Sequence, residues 1–391
     1  MRQALFASAV AVCAVVSATT TAAAAAATGS GWSVVVTPNP AGARASGLAA
    51  VACSAAGACT AVGQVQRGAR VLPLAERWNG TAFSVQPTAS PAGSPEFSAL
   101  NGVSCPGAHA CTAAGNYVTS ALSGFTLAER WDGTTWSIQR TANRAGPPAS
   151  QLLGVSCPTA TACTAVGYYQ PGEQSFVLAE RWNGATWSLQ SIPSPPGSTI
   201  SSLAAVSCSA VNACTAVGTF TSHGEDLPLA ERWNGSAWSI QPVPTPTSEG
   251  GDLAGVSCTA ASACTAVGEF VDQADAHSFA LAERWNGSTW SIQKPPTPSG
   301  GVNAFLGAVS CPAVTACTAV GHYVIARANR EVTLAEHWDG TAWSVQSTPS
   351  PGSGPDGLTA VACPATTSCI AAGVQFQRHG KFLPLGERFA A

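Results

Sequence analysis

Leu203-Ala204-Ala205-Val206-Ser207-Cys208, a short loop, Cys214-Thr215-Ala216-Val217-Gly218 and then Leu229-Ala230-Glu231-Arg232-Trp233-Asn234-Gly235-Ser236-Ala237-Trp238-Ser239-Ile240-Gln241 form one copy of a unit that recurs along the chain. The cysteines keep its time. Apart from Cys13 they fall into seven pairs: Cys53 with Cys59, Cys105 with Cys111, Cys157 with Cys163, Cys208 with Cys214, Cys258 with Cys264, Cys311 with Cys317 and Cys363 with Cys369. Successive first cysteines stand 52, 52, 51, 50, 53 and 52 residues apart. Repeats of this length point to propellers or arrays before any other fold.

Each piece of the unit reads as a strand. In the L-x-x-V-x-C segment the apolar residues do not share one face, as expected of a strand covered on both sides. Cys-Thr-Ala-Val-Gly is short, apolar and β-branched. In Leu-Ala-Glu-Arg-Trp the alternation places Leu, Glu and Trp on one face and Ala and Arg on the other. Asn-Gly or Asp-Gly between two aromatic-bearing runs predicts a hairpin with a type I′ turn. The unit is therefore a meander of four antiparallel strands, A to D. Helical periodicity is absent after the first 27 residues.

The chain ends decide between a ring and an open stack. The seventh unit stops at Glu387-Arg388-Phe389, without a strand D. The missing piece stands at the other end, as Gly31-Trp32-Ser33-Val34-Val35. The expected fold is all-β: a seven-bladed β-propeller of four-stranded antiparallel blades, closed by an N-terminal strand that completes the last blade and hides both sheet edges. The fourteen aromatic positions of strands C and D agree, since they hold all 12 tryptophans plus Phe83 and Phe389. An aromatic present in every blade is read as packing between sheets rather than as a sugar platform.

On these motifs the chain resembles secreted bacterial seven-bladed propellers with repeats of the BNR or Asp-box group, over the whole of residues 28–391. Trp131-Asp132-Gly133-Thr134-Thr135-Trp136 departs from the pattern S-x-D-x-G-x-T-W by lacking the residue between Asp and Gly. The sialidase-like activity implied by that group is not carried over, because no residues here match its catalytic positions. The units also look like those of exported repeat proteins of actinobacteria.

Residues 1–27 read as a signal peptide: one basic residue, Arg2, an apolar run from Ala4 to Val16, and an alanine-rich tail. Bulky Val12 before Cys13 argues against lipid attachment. Residues 28–391 are then a single domain, and the expected location is secreted and extracellular, with no membrane span. Charged residues make up 9% of the chain, with a formal net charge of −3, too little positive charge to hold nucleic acid. Export makes oxidised cysteines the expectation, with a disulfide closing each of the seven pairs, and each short loop gains about 2 kcal/mol from its bridge. Zinc is the rival reading of paired cysteines. It fails because the 6 histidines occupy no repeated position to supply further ligands.

The glutamates of L-x-E-R recur as Glu76, Glu129, Glu180, Glu231, Glu283, Glu336 and Glu387. A ring of carboxylates could bind a ligand, but on a packed face they are read as paired ions or as backbone links between blades. The remaining charges lie mostly in the B–C and D–A connections, which share one face of the disc. On that loop face the candidate ligand-binding residues are Arg67, Arg70, Tyr168, Tyr169, His223, Glu225, Asp226, Arg327, Arg330 and Arg378, since binding residues concentrate on loops held by a rigid scaffold. Two clusters, Asp272 with Asp275 and His277, and His223 with Glu225 and Asp226, are weighed as cation ligands and read instead as solvated loop residues. Asn79-Gly80-Thr81, Asn234-Gly235-Ser236 and Asn286-Gly287-Ser288 match glycosylation sequons but coincide with the recurrent hairpin turns.

No catalytic residues, metal site or cofactor emerge. The expected function is a monomeric, non-enzymatic binding or scaffold protein, its ligand a glycan or an extracellular protein at the variable loop face. The alternatives are a polysaccharide-acting glycoside hydrolase or lyase with a site at the central loop face, and a surface-structural protein without a discrete ligand. The disulfide reading is directly testable. Mass spectrometry of the unreduced protein after cleavage should find seven local pairs and no free thiol downstream of residue 27, and any cross-blade linkage would contradict the hairpin assignment.

Overall fold

The computed structural model describes residues 31–391 except 93–94, 120–122, 144–148, 247–249, 273–276 and 379. Cys13 and the expected signal peptide lie outside the described residues, as does Asp275. The described residues form 28 strands and no helix. Blade 1 has strand A over Ala45–Ala55, B over Ala58–Arg67, C over Arg70–Trp78 and D over Phe83–Gln86. Five further blades repeat that order, and a single parallel bridge, Val71 to Phe97, ties blade 1 to blade 2. In blade 7, Asp356–Ala365, Ser368–Gln377 and Lys381–Ala390 are completed by Gly31–Val35, paired antiparallel with Trp32 opposite Phe389. Strand A of blade 1 packs against strand A of blades 2 and 7, which closes the ring.

The cysteines pair within their own hairpins, as their spacing predicts. Cys53 is bonded to Cys59 in blade 1, Cys105 to Cys111 in blade 2, Cys157 to Cys163 in blade 3 and Cys208 to Cys214 in blade 4. Cys258 is bonded to Cys264, Cys311 to Cys317 and Cys363 to Cys369 in the remaining three. Each bridge joins strand A to strand B beside the short turn between them. The second cysteine of each pair, on strand B, is the more deeply placed: Cys59, Cys111, Cys163, Cys214, Cys264, Cys317 and Cys369 are all buried in the cores between blades.

The recurrent glycine of strand B has a backbone cause at the other end of the same hairpin. Every strand A carries a bulge at the residue after its leucine, and these seven residues line the central channel. The bulge drives the strand A backbone toward strand B, so a Cβ on Gly63 would lie 2.0 Å from the carbonyl oxygen of Gly47, and one on Gly115 would lie 1.9 Å from that of Ala99. Only glycine fits such an approach.

The two faces of strand C serve different neighbours. Leu74 and Trp78 pack toward blade 7, whereas Ala75 packs toward blade 2. The arginine after each glutamate reaches forward in the same sense as Ala75. Arg77 donates to the carbonyl of Ala108 (3.1 Å) in the A–B turn of blade 2 and stacks over Trp131. Arg181, Arg232 and Arg284 likewise stack over Trp233, Trp285 and Trp338 of the next blade. This explains the one departure in the motif. Where His337 replaces arginine, the aromatic it would face in blade 7 is Phe389 rather than tryptophan.

The glutamates consequently have no arginine partner, which corrects the paired-ion reading. All seven are fully buried against the preceding blade. Glu129 and Glu180 each accept a backbone N–H from the connector that enters their blade, from Ala89 (3.2 Å) and Ala142 (2.9 Å). In the other five, Glu76, Glu231, Glu283, Glu336 and Glu387, neither carboxyl oxygen has a hydrogen-bond partner among the described residues. The reason lies in the connectors. Ala89 and Ala142 stand six residues beyond the aromatic of strand D, and in the other five connectors that position is Pro38, Pro193, Pro244, Pro296 and Pro349. Proline has no N–H to give. The backbone-link reading therefore holds for two blades and fails for five.

Burial without a partner favours the neutral acid. Desolvation raises Glu76, Glu231, Glu283, Glu336 and Glu387 to about 8. The Ala89 N–H opposes burial at Glu129 without overcoming it, and that carboxyl also lies at about 8. A carboxyl with a raised folded-state pKa binds more protons folded than unfolded between its ordinary value and the raised one. Stability must therefore fall as pH rises through that window. The melting temperature should be highest near pH 5 and drop progressively toward pH 8 to 9. Pro193→Ala, which supplies an N–H beside Glu231, should make that decline shallower, and a melting temperature independent of pH would refute the assignment.

Candidate functional site

The disc has two unlike faces. On one, the C–D turns are nearly identical from blade to blade. Asn79 Oδ1 accepts the N–H groups of Thr81 and Ala82, and Asp132, Asn183, Asn234, Asn286 and Asp339 do the same in their blades. These are four-residue loops in which only the glycine has positive φ, 98° at Gly80, so the type I′ expectation is corrected. The capping side chain replaces the second left-handed residue. A two-residue turn with both central residues at positive φ does occur on the opposite face, at His223-Gly224 (54° and 90°).

On the loop face the sequence-derived candidates stay within their own hairpins. Arg67 and Arg70 are exposed and face each other across the B–C turn of blade 1. Tyr169 turns inward against Phe176, ring centroids 5.6 Å apart, while Tyr168 lies half-buried opposite Gln151, where burial raises its phenol. His223 lies in the tight turn of blade 4, which Ser222 and Glu225 flank, and Asp226 accepts the Thr221 hydroxyl at 2.6 Å. His277 Nδ1 lies 3.3 Å from Asn303 Oδ1. Arg327 and Arg378 are exposed. Arg330 is anchored: it donates to the carbonyls of Ser350 (3.0 Å) and Gly352 (2.8 Å) and pairs with buried Asp356 at 3.5 Å.

The structure adds a set of residues that reading hairpin tips had passed over. Just before the leucine of strand A, each blade places a residue directly across from one on strand B, at the loop-face end of the channel. The seven cross-strand pairs all differ. They are Gly47 with Gln64, Ala99 with Asn116, Gln151 with Tyr168, Ser202 with Thr219, Asp252 with Glu269, Phe305 with His322 and Gly357 with Val374. Below this mouth the channel narrows to about 200 Å³, walled by small and aliphatic residues apart from Asn101 and Thr359. Those two are engaged, Asn101 with the Leu152 carbonyl and Thr359 with that of Leu48. Beside Gly47, between blades 1 and 7, lies a hollow of about 220 Å³, lined by Gln64, Gln66, Val374 and Phe382 among others. The signal was present in the sequence as a strand B column that differs in all seven copies, directly after a glycine that is the same in all seven, and a strand A column that repeats only glycine, directly before a constant leucine.

Blades 4 to 6 make one side of the mouth acidic. Asp252 is raised to about 6, first by burial and then by the charges of Glu269 and Asp226. Two carboxyls directly opposite on adjacent strands repel, although Asp252 Oδ1 also accepts the Glu269 backbone N–H (3.3 Å). Next to them stand His322, its ring 5.3 Å from that of Phe305, and Glu331, which with His322 borders Gly357. The described residues hold no group of three metal-ligating side chains.

The chain matches no family model and no curated protein. Among solved structures it is similar to YCF48 with a bound D1 peptide, at 11% identity and a TM-score of 0.52, over 92% of this chain and 97% of that one. It is similar to a GH74 xyloglucanase from Xanthomonas campestris at 12% identity and a TM-score of 0.55, over 90% of this chain. It spans only 55% of the length of that enzyme. Likeness at this level shows the propeller fold alone.

The acidic pair yields a test. Glu269→Gln removes the charge facing Asp252 and should raise stability at pH 7 by up to about 1 kcal/mol. The gain should shrink as pH falls below about 6, where Asp252 takes up a proton in the parent protein. Thermal melts of parent and variant from pH 4 to 8 would show this.

Proposed function

We propose that the protein is a secreted, monomeric, non-enzymatic binding protein that recognises a glycan or an extracellular protein at the loop-face mouth of its channel. The reading takes residues 1–27 as its export signal and residues 28–391 as one domain. The observation that carries it is the ring of seven unlike cross-strand pairs. Some of these positions also serve packing, as buried Ala99 and Asn116 do, but six of the seven pairs include at least one polar or aromatic side chain. A rigid scaffold that varies only at one rim is arranged for recognition. Seven intrachain disulfides fit an oxidising compartment.

A second reading, a polysaccharide hydrolase or lyase, has one specific observation in its favour. Asp252, raised to about 6 beside Glu269, is the kind of carboxyl that serves as a general acid.

A glycan array and a polysaccharide-turnover screen on the oxidised protein separate the two. The binding reading expects retained ligand and no product. Tyr168→Ala and His322→Ala should weaken binding while melting temperatures stay near the parent's, and Thr134→Lys, on the opposite face, should have no effect. Loss from Thr134→Lys alone would move the site to the wrong side of the disc. Steady release of reducing ends, abolished by Asp252→Asn, would replace the binding reading with the enzymatic one.

A further inference from the structure

We propose that blades 2 and 6 each carry a groove that binds a neutral oligosaccharide, so that one molecule holds two sugar chains. The proposal rests on the binding reading above but places these contacts on the outer shoulder of the disc, away from the channel mouth. It stands on one arrangement of side chains found twice.

The groove in blade 2 has a volume of about 870 Å³ and that in blade 6 about 610 Å³. Tyr117 of strand B walls the first, with Phe125 opposite it on strand C and the two rings stacked at 5.3 Å. Tyr323 walls the second from the same position, with Val332 opposite. Ile138 and Val345, at the same place on strand D, each leave about two fifths of their surface exposed, 41% and 42%. Each groove also has a glutamine whose Oε1 accepts an indole N–H from the next blade, Gln139 from Trp187 and Gln346 from Trp32.

The connector that borders each groove is fixed by one further device. The residue before the strand C leucine is threonine in blades 2 and 6, but Pro73, Val177, Pro228, Ala280 and Pro384 elsewhere. Thr126 gives its N–H to Asn143 Oδ1 (2.9 Å) and its carbonyl accepts the Thr141 hydroxyl (3.0 Å). Thr333 repeats both bonds with Ser350 (3.1 Å) and Thr348 (3.0 Å). A proline at this position has no N–H and could not make the first bond. Blades 1 and 7 make only the second bond, from the hydroxyls of Thr88 to the Pro73 carbonyl (3.1 Å) and of Thr37 to that of Pro384 (2.9 Å), so among the described residues the two bonds occur together in blades 2 and 6.

The chemistry of the lining selects the ligand. Each groove combines an aromatic ring and exposed aliphatic surface with hydroxyl and amide groups, and contains no carboxylate and no lysine among its lining residues. Each groove has one charged lining residue: Arg330 in blade 6, already paired with Asp356, and the exposed Arg140 at the edge of the blade 2 groove. Such a surface stacks on the apolar face of a pyranose and exchanges hydrogen bonds with its hydroxyls. A phosphate or an acidic chain would find too little positive charge, and a basic chain none of the opposite sign. The two sites differ in one respect. Trp182 of blade 3 borders the first groove and is only half-buried, whereas Trp78, Trp131, Trp285 and Trp338 in its position are 2 to 6% exposed. The blade 2 site is therefore expected to be the tighter.

The test is calorimetric titration of the oxidised full-length mature protein with cellohexaose, chitohexaose and mannohexaose. At least one should bind with two sites per molecule. Tyr117→Ala and Tyr323→Ala should each weaken one site roughly tenfold or more, and the double variant should lose both. Tyr117→Phe and Tyr323→Phe, which keep the ring, should retain two sites, and unchanged melting curves would exclude misfolding. No binding of any of the three sugars at millimolar concentration would overturn the proposal. So would a single site that is abolished by Tyr168→Ala and indifferent to the groove variants, although that result would leave binding at the mouth standing. Conversion of a hexasaccharide to shorter products would instead overturn the non-enzymatic reading.

Discussion

Seven sheets standing face to face around an axis leave wedge-shaped gaps between them, closed near the centre and wide at the rim. Nearly every constant residue of the repeat answers to that taper. Close to the axis the side chains are small: alanine, glycine, valine and half-cystine on strands A and B, with a glycine where even a methyl group would strike the neighbouring strand's carbonyl. Farther out come leucine and the buried glutamate, and at the rim paired tryptophans on strands C and D fill the widest part, their rings 5.7 to 5.9 Å apart in most blades. Dense packing thus assigns residue size by distance from the axis. Because each residue fills a gap against the next blade, a change in one copy bears on its neighbour.

The ring, its seven blades, the local pairing of cysteines such as Cys59 and Cys369, and the exchange of the terminal strand were legible in the sequence. Each follows from period, strand alternation and a missing fragment found at the other end. Those signals are local or global, and a repeat exposes both. What could not be read were contacts between a side chain in one copy and a connector roughly forty residues away. Whether a glutamate has a donor depends on an alanine or a proline in the segment entering its blade, and nothing near Glu231 hints at Pro193. The turn type was misjudged for a different reason: an asparagine before glycine serves equally as a left-handed residue or as a side-chain cap, and loop length decides which.

The candidate site was legible in part. Charged hairpin tips such as Arg67 and Arg378 stand on the loop face as expected, but Arg330 turned out to fasten a connector, and Tyr169 to fill a core. The mouth pairs were overlooked because they sit within strands, where variation looks like tolerance until the register shows that all of them share one rim. In a repeat protein, variability confined to one height of the scaffold is more informative than charge alone.

The sealed glutamates also change what the molecule is electrically. The formal net charge of −3 counts 17 cationic and 20 anionic side chains. With the six strand C glutamates that burial raises to about 8 held as neutral acids inside the fold, the same chain carries about +3 at neutral pH. Folding therefore reverses the sign of the charge. The native protein is thus expected to migrate toward the cathode and to be retained on a sulfonated resin, and its unfolded form, with those carboxyls released to water, to travel the other way.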